Sequence, residues 1–438
     1  MPVTDPFGSP EPAGSPATLD RSRVDALRRR TIVLLSVAQV FSGLAAGSVV
    51  SIGSLLAVEI TGNDAFAGSV TTAATLGAAF SALWLARLAL ARGRRASLSS
   101  GLLLASVGAV AFVLASVWQS FPLLLAGGAL MGVGSAVNLQ ARFAATDLST
   151  PGSRARDLSL VVWMSTVGAV TGPNLVGLGG PLGRLTGLPE LGAAFLFSLA
   201  GMLAAMLVLW IGLRPDPLAV AREGEHGHSV VTGVRTRVPI TEALATLARF
   251  PRAVGALLGI LVAHAVMVAV MSMTPVHMAG HGASISLVGL TVSLHIAGMY
   301  ALSPVMGWLS DRIGAPVVLV LGLLTQVAAV AVAGTSGASA GATTIGLVLL
   351  GVGWSAATVA GSSSIAGAVP GDGRVAIQGL SDSLMSFAGA GGGALAGVVL
   401  ARIGYDGLNL AAGVLAAAGA VAAFLVQRRA ATRDAPVV

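Results

Sequence analysis

Long apolar stretches separated by short polar joints recur along the whole chain. A bilayer core about 30 Å thick needs about 20 largely apolar residues to cross it as a helix. That rule places twelve spans at roughly 31–58, 65–88, 97–117, 122–144, 158–178, 191–213, 252–275, 287–310, 316–334, 343–366, 375–400 and 408–427. One long polar connection, RPDPLAVAREGEHGHSVVTGVRTRVPITEALATLARFPR, separates the sixth span from the seventh. The expectation is an all-α membrane protein of two six-helix bundles. Its predicted parts are a disordered N-terminus (1–30), a first bundle (31–213), a central loop (214–251), a second bundle (252–427) and a tail (428–438).

Composition agrees. Of 438 residues, 55% are hydrophobic and 10% charged, with mean hydropathy +0.87, so the solvent expected is lipid. The Pro-, Gly- and Ser-rich first twenty residues lead through RSRVDALRRR into a long apolar run. That run exceeds the ~7–15 residues of a signal-peptide core and reads as a retained first span. All 25 basic residues are arginine. With the N-terminus inside, only Arg184 and Arg402 fall outside, so both termini are placed in the cytoplasm by the positive-inside rule. Despite a formal charge of +7, the arginines are scattered between apolar runs without interleaved aromatics, which excludes a nucleic-acid partner. The absence of cysteine excludes disulfides and thiolate chemistry. No HExxH or comparable cluster occurs and the loops are short, so no enzyme and no resident cofactor are expected.

The halves repeat one another. Ala86–Arg95 (ARLALARGRR) stands 221 residues before Gly307–Pro316 (GWLSDRIGAP), and GVGS at Gly132–Ser135 stands 219 before GVGWS at Gly351–Ser355. Related bundles around a central site are a transporter signature, because they can rock to open either side. In the second copy a small residue, Gly307, lets two helices turn closely, and Asp311 can face a helix N-terminus or a basic residue across the bundle.

Over residues 30–427 the chain resembles the major facilitator superfamily. Gly307, Asp311, Arg312 and Gly314 match that family's gating motif between its eighth and ninth helices, which implies a partner for Asp311 at the start of the fifth span, near Arg154 and Arg156. The first-half copy departs from the pattern: Leu90 replaces the acid and Ala86 the glycine. GAVTGPNLVG at Gly168–Gly177 resembles the fifth-helix motif of proton-coupled antiporters, or is a packing seam of closely approaching helices.

Ionisable residues at membrane depth are costly and therefore candidates for function. Asp382, in the eleventh span one turn after Gln378, is the proton-coupling candidate; a cation counter-charge and a structural partner for an arginine are the alternatives. Arg142 and Asp147 close the fourth span, where a surface or latch role is expected. Glu59 reads as interfacial and His226 and His228 as solvated.

The other four histidines, with Met267, Met271, Met273, Met278 and Met299, fall in or between the seventh and eighth spans. His264, Met267 and Met271 share one stripe of the seventh, and His295 and Met299 one stripe of the eighth. Neutral thioethers and imidazoles suit Cu(I) and suit Mg²⁺ or Ca²⁺ poorly. Met273, His277, Met278 and His281 then form an outer collecting loop. The alternative is ordinary packing, since methionine fills gaps and histidine bonds across helices without any ion.

The MxxxM of Met267/Met271 followed by the HxxxM of His295/Met299 resembles the CcoA-like copper importers of the same superfamily, a group that also includes riboflavin transporters. The resemblance implies copper, as substrate, taken up across a bacterial cytoplasmic membrane by a monomer. The other expectation is a proton-coupled carrier of a small organic solute, such as riboflavin or a drug, in a cavity lined by Gln39, Asn138, Trp163, Tyr300 and Trp354.

Overall fold

The computed structural model describes residues 21–62, 66, 69–171, 179–225, 240–370 and 372–433. The first twenty residues, Pro173 with most of its motif, His226 and His228 lie outside them.

Fourteen helices and no strand are present among the described residues: α1 (Arg21–Thr61), α2 (Ser69–Trp118), α3 (Phe121–Ala144), α4 (Arg154–Thr171), α5 (Gly179–Thr186), α6 (Glu190–Gly212), α7 (Pro217–Glu225), α8 (Ile240–Ala248), α9 (Pro251–Gly280), α10 (Ile285–Tyr300), α11 (Ser303–Ile313), α12 (Ala315–Gly334), α13 (Ala340–Ala368) and α14 (Asp372–Arg433). Among the described residues eight helices are long and apolar enough to cross a membrane. Ten of the twelve expected spans map onto these eight, while the first lies in α1 and the fifth begins in α4, its residues 172–178 being outside the described ones. The second and third lie in α2, broken at Gly93, and the eleventh and twelfth in α14, broken at Gly404. The eighth divides into α10 and α11. There Pro304 has no N–H to give, and the Ser303 hydroxyl donates instead to the Tyr300 carbonyl at 2.7 Å. α7 and α8 lie in the polar connection.

Gly93 and Gly314 occupy equivalent places in the repeat, and both have positive φ, 86° and 96°. L-residues with a Cβ avoid that region, so glycine permits the same sharp reversal in each half.

Each half has its own apolar core. Leu35, Leu102, Phe112 and Phe195 centre the first; Ala256, Ile260, Leu319 and Ala357 centre the second. Large apolar residues such as Val33, Ile211, Leu410 and Val414 are exposed on the outside. In lipid that exposure carries no hydrophobic penalty, so close packing must hold the helices together. α2 and α3 show how: a Cβ on Gly77 would strike the Ala129 carbonyl, and one on Gly132 the Ala74 carbonyl. Backbone cannot step aside as a side chain can. Gly132→Ala is expected to destabilise by about 1–3 kcal/mol, read as a lowered midpoint of thermal unfolding in detergent. An unchanged midpoint would mean the two helices part freely.

Candidate functional site

A cavity of about 290 Å³ lies between the halves. Thr71 and Thr75 of α2 and Ser135 and Asn138 of α3 supply polar groups from the first half. The second half supplies three rings, His264 of α9, Tyr300 of α10 and Trp354 of α13, with Ser386 of α14. The Trp354 indole N–H donates to His264 Nδ1 at 2.9 Å, and Tyr300 meets Trp354 edge-on at 5.8 Å between centroids. On its other side His264 Nε2 faces Gly389, where a Cβ would come within 2.7 Å. The imidazole is thus clamped between two helices.

Behind Asn138 stands a polar layer. The Ser42 hydroxyl donates to Asn138 Oδ1 at 2.6 Å, and the Gln39 amide to the Asn138 carbonyl at 3.3 Å and to Ser165 Oγ at 3.0 Å. Of the five residues named for an organic-solute cavity, Asn138, Tyr300 and Trp354 therefore line this one. Gln39 holds Asn138 from behind. Trp163 is outside the lining and is 41% exposed.

The soft-donor candidates divide. His264 and Met299 line the cavity, whereas Met267, Met271 and His295 do not. Met267 and Met299 are buried in one apolar cluster with Val270, Leu347 and Leu350, and Met271 packs at its edge. His295, fully buried, reaches the Leu347 carbonyl through Nδ1 at 2.7 Å, while its Nε2 has no partner. Among the described residues no three His, Asp or Glu side chains gather to hold a metal. Three methionines that sequence spacing did not single out, Met131, Met202 and Met385, enter the cavity wall from α3, α6 and α14. No motif connects them; only their helices' rotation brings them to one cavity.

The outer loop gathers in part. His277, Met278 and His281 line a second cavity of about 230 Å³ with Gly337 and Thr343. His277 stacks on Tyr405, 4.0 Å between centroids, and its Nε2 is 3.1 Å from the Gly337 carbonyl. Met273 packs beside Tyr405 instead.

On the face carrying Arg94, Arg142, Arg312 and Arg374, the halves are joined by polar contacts. Asp311 accepts the Ala155 and Arg156 N–H groups at 3.1 and 2.9 Å, capping the positive end of α4 as expected. Arg312 lies over the Trp308 ring, and Gly307 presses against Ser159 and Ala155. The first half replaces this latch. Leu90 sits in an apolar cluster with Val375, Ala376 and Leu380. Beside it Arg94 forks onto Asp147 at 2.8 and 3.1 Å and donates to Gln378 Oε1 at 2.8 Å. Deeper in, Arg142 of α3 donates to Asp382 of α14 at 2.5 Å, with both side chains almost fully buried. Asp382 therefore has an arginine partner, and Arg142 and Asp147 both act in the join.

The sequence model of the Major Facilitator Superfamily matches residues 35–284 and 256–437. The chain belongs to the major facilitator superfamily. This facilitator is 38% identical over 390 residues to the uncharacterized MFS-type transporter YdeG of Bacillus subtilis, covering 89% of this chain and 90% of that one. It is 28% identical over 390 residues to the riboflavin transporter RfnT of Brucella anthropi, covering 87% and 92%. In fold it is similar to the Escherichia coli fucose:proton symporter FucP, with a TM-score of 0.67 at 17% identity over 91% of this facilitator and 98% of FucP. Family and fold make it a multi-pass membrane transporter rather than an enzyme.

Proposed function

We propose that this facilitator carries a small planar organic solute of the flavin kind through the cavity between its halves. The observation that supports this most is the pairing of an aromatic wall, Tyr300 and Trp354, with the hydrogen-bonding groups Asn138, Ser135 and Ser386 around one cavity. An apolar pocket with a few fixed polar groups binds a planar ring system by stacking and orients it by its polar edge. The relation to RfnT, a riboflavin transporter, agrees with that reading. The arginine-rich face is cytoplasmic in this proposal, so both termini face the cytoplasm of a bacterial cell. The halves rock as a monomer about the cavity, and Asp382 couples the motion to protons by holding or releasing Arg142.

Copper uptake is the second reading. His295 favours it, because a buried imidazole nitrogen without a partner, beside a cluster holding the thioethers of Met267 and Met299, suits a soft monovalent ion.

Uptake of riboflavin and of copper, measured side by side in cells expressing the protein, distinguishes the two. Riboflavin uptake is expected. Trp354→Leu should raise its KM about tenfold, the loss of an aromatic contact, and the Met267→Ala/His295→Ala double variant should leave it unchanged. Copper uptake that the double variant abolishes, without riboflavin uptake, would transfer the function to the second reading. Uptake of neither would overturn both.

A further inference from the structure

A third cavity, of about 840 Å³, lies on the arginine-rich face and shares no lining residue with the one between the halves. Part of its lining is basic: Arg154 begins α4, Arg252 lies in the first turn of α9, and Arg428 stands near the end of α14. Two further groups point to a ligand. The Gln427 side-chain amide nitrogen and the Ser364 hydroxyl are both buried, line this cavity and have no hydrogen-bond partner. Gln427 as a whole is only 9% exposed. Buried polar groups in folded proteins are nearly always satisfied, so a donor left over in a cavity marks a missing acceptor. Asp311 is the one carboxylate in the lining, and both its oxygens already accept the α4 N–H groups. What remains is the pair of donors on Gln427 and Ser364 with no acceptor, in a lining that carries three arginines and one carboxylate.

The rim is of a different kind. Val317 and Leu321 of α12 and Phe424 of α14 line the same cavity and are 44–50% exposed on the membrane-facing exterior. A soluble anion would gain nothing from that apolar rim. A lipid would use both parts, with its phosphate on the donors and its glycerol and upper acyl chain along the rim.

We infer that this cavity is a site for one anionic phospholipid, its headgroup phosphate bound by Arg154, Arg252, Arg428, Gln427 and Ser364 and its acyl chains leaving past Val317 and Leu321. Arg154 belongs to the first half and the other donors to the second. Occupancy therefore bridges the halves and favours the arrangement in which the arginine-rich face is closed. The inference is independent of the transported solute.

The full chain, purified in detergent and studied by native mass spectrometry with added phosphatidylglycerol, phosphatidylcholine or inorganic phosphate, tests it. One phosphatidylglycerol per chain is expected to be retained, phosphatidylcholine to be lost, and millimolar phosphate to leave the lipid in place. The Arg252→Gln/Arg428→Gln variant should bind phosphatidylglycerol about 30-fold more weakly, about a factor of five for each arginine at a membrane surface. Gln427→Leu fills the same space without a donor, and should weaken binding with thermal stability in phosphatidylcholine kept. Equal retention of the two lipids, or full retention in both variants, would overturn the site; displacement by phosphate would reassign it to a soluble anion. The bridging has its own readout, because the chain has no native cysteine. Ser383 of α14 donates to the Ala79 carbonyl of α2 across the join, at 2.6 Å. A thiol placed by Ser383→Cys should label more slowly in nanodiscs of phosphatidylglycerol than of phosphatidylcholine, and equal rates would remove the bridging role.

Discussion

Arg142→Ala is expected to abolish uptake to within about 1% of the parent and to lower thermal stability. The guanidinium and the Asp382 carboxylate are 2% and 0% exposed, so each ion is compensated chiefly by the other, with Arg94 a weaker charge on Asp382. Removing one partner of a buried pair costs about 3–5 kcal/mol, because a charge is left without solvent or counter-ion. Here the pair joins α3 of one half to α14 of the other, and the cost falls on the closed arrangement in which they meet. A loss of 3 kcal/mol moves a two-state equilibrium about 150-fold, so the arginine-rich face should stand open. The Ser383→Cys thiol, shielded in the parent, should then react with a membrane-impermeant reagent at least tenfold faster. A parent-like labelling rate would show that the pair has no part in closing the halves. Asp382→Asn is the companion experiment. It keeps the shape and a carbonyl oxygen that still accepts from Arg142 but removes the titrating proton, so exchange of solute should persist while accumulation driven by a proton gradient is lost. Undiminished gradient-driven accumulation would reduce Asp382 to a structural partner.

Gly307→Leu should block transport as completely, by a different physical route. A Cβ at this position would meet the Ser159 hydroxyl and come within 2.6 Å of the Ala155 carbonyl. The hydroxyl is itself tied to the Arg156 carbonyl at 2.8 Å, and the backbone of α4 is held at its first turn by Asp311. Neither neighbour can move without releasing the latch, so a leucine must push α11 away from α4. Overpacking of this kind costs about 1–3 kcal/mol inside one core. Here the strain lies between the halves and is relieved by opening, so the folded bundles should survive. The expected result is near-parent thermal unfolding, uptake reduced at least a hundredfold, and an increased distance between spin labels placed on the two halves at the arginine-rich face. Normal uptake by the leucine variant would show that α11 and α4 need not touch during the cycle.

Much of this protein is legible in the order of its residues. Bilayer thickness sets span length, so the apolar runs were enough to place the membrane helices. Arginine placement singled out one face. The repeat at an interval of 221 residues placed a reversal in each half, and Gly93 and Gly314 carry it with the same left-handed backbone. Asp311 on the N-terminus of α4 was also legible, since its chemistry needs only a helix end to cap. The departure at Leu90 was visible too, but its consequence was not. Arg94, Asp147 and Gln378 form the join in that half, drawn from three distant segments.

Only the tertiary structure decided which face of each helix turns inward. A span in lipid is apolar on every side, and its hydrophobic pattern does not say which stripe meets another helix. Glycine contacts such as Gly77 on Ala129, and buried pairs such as Arg142 on Asp382, fix that rotation. Met131, Met202 and Met385 therefore reached the cavity unannounced, while Met267 and Met271, whose spacing was conspicuous, packed behind its wall. Spacing along one helix records which residues share a stripe, and it holds no information about what the neighbouring helix presents to that stripe.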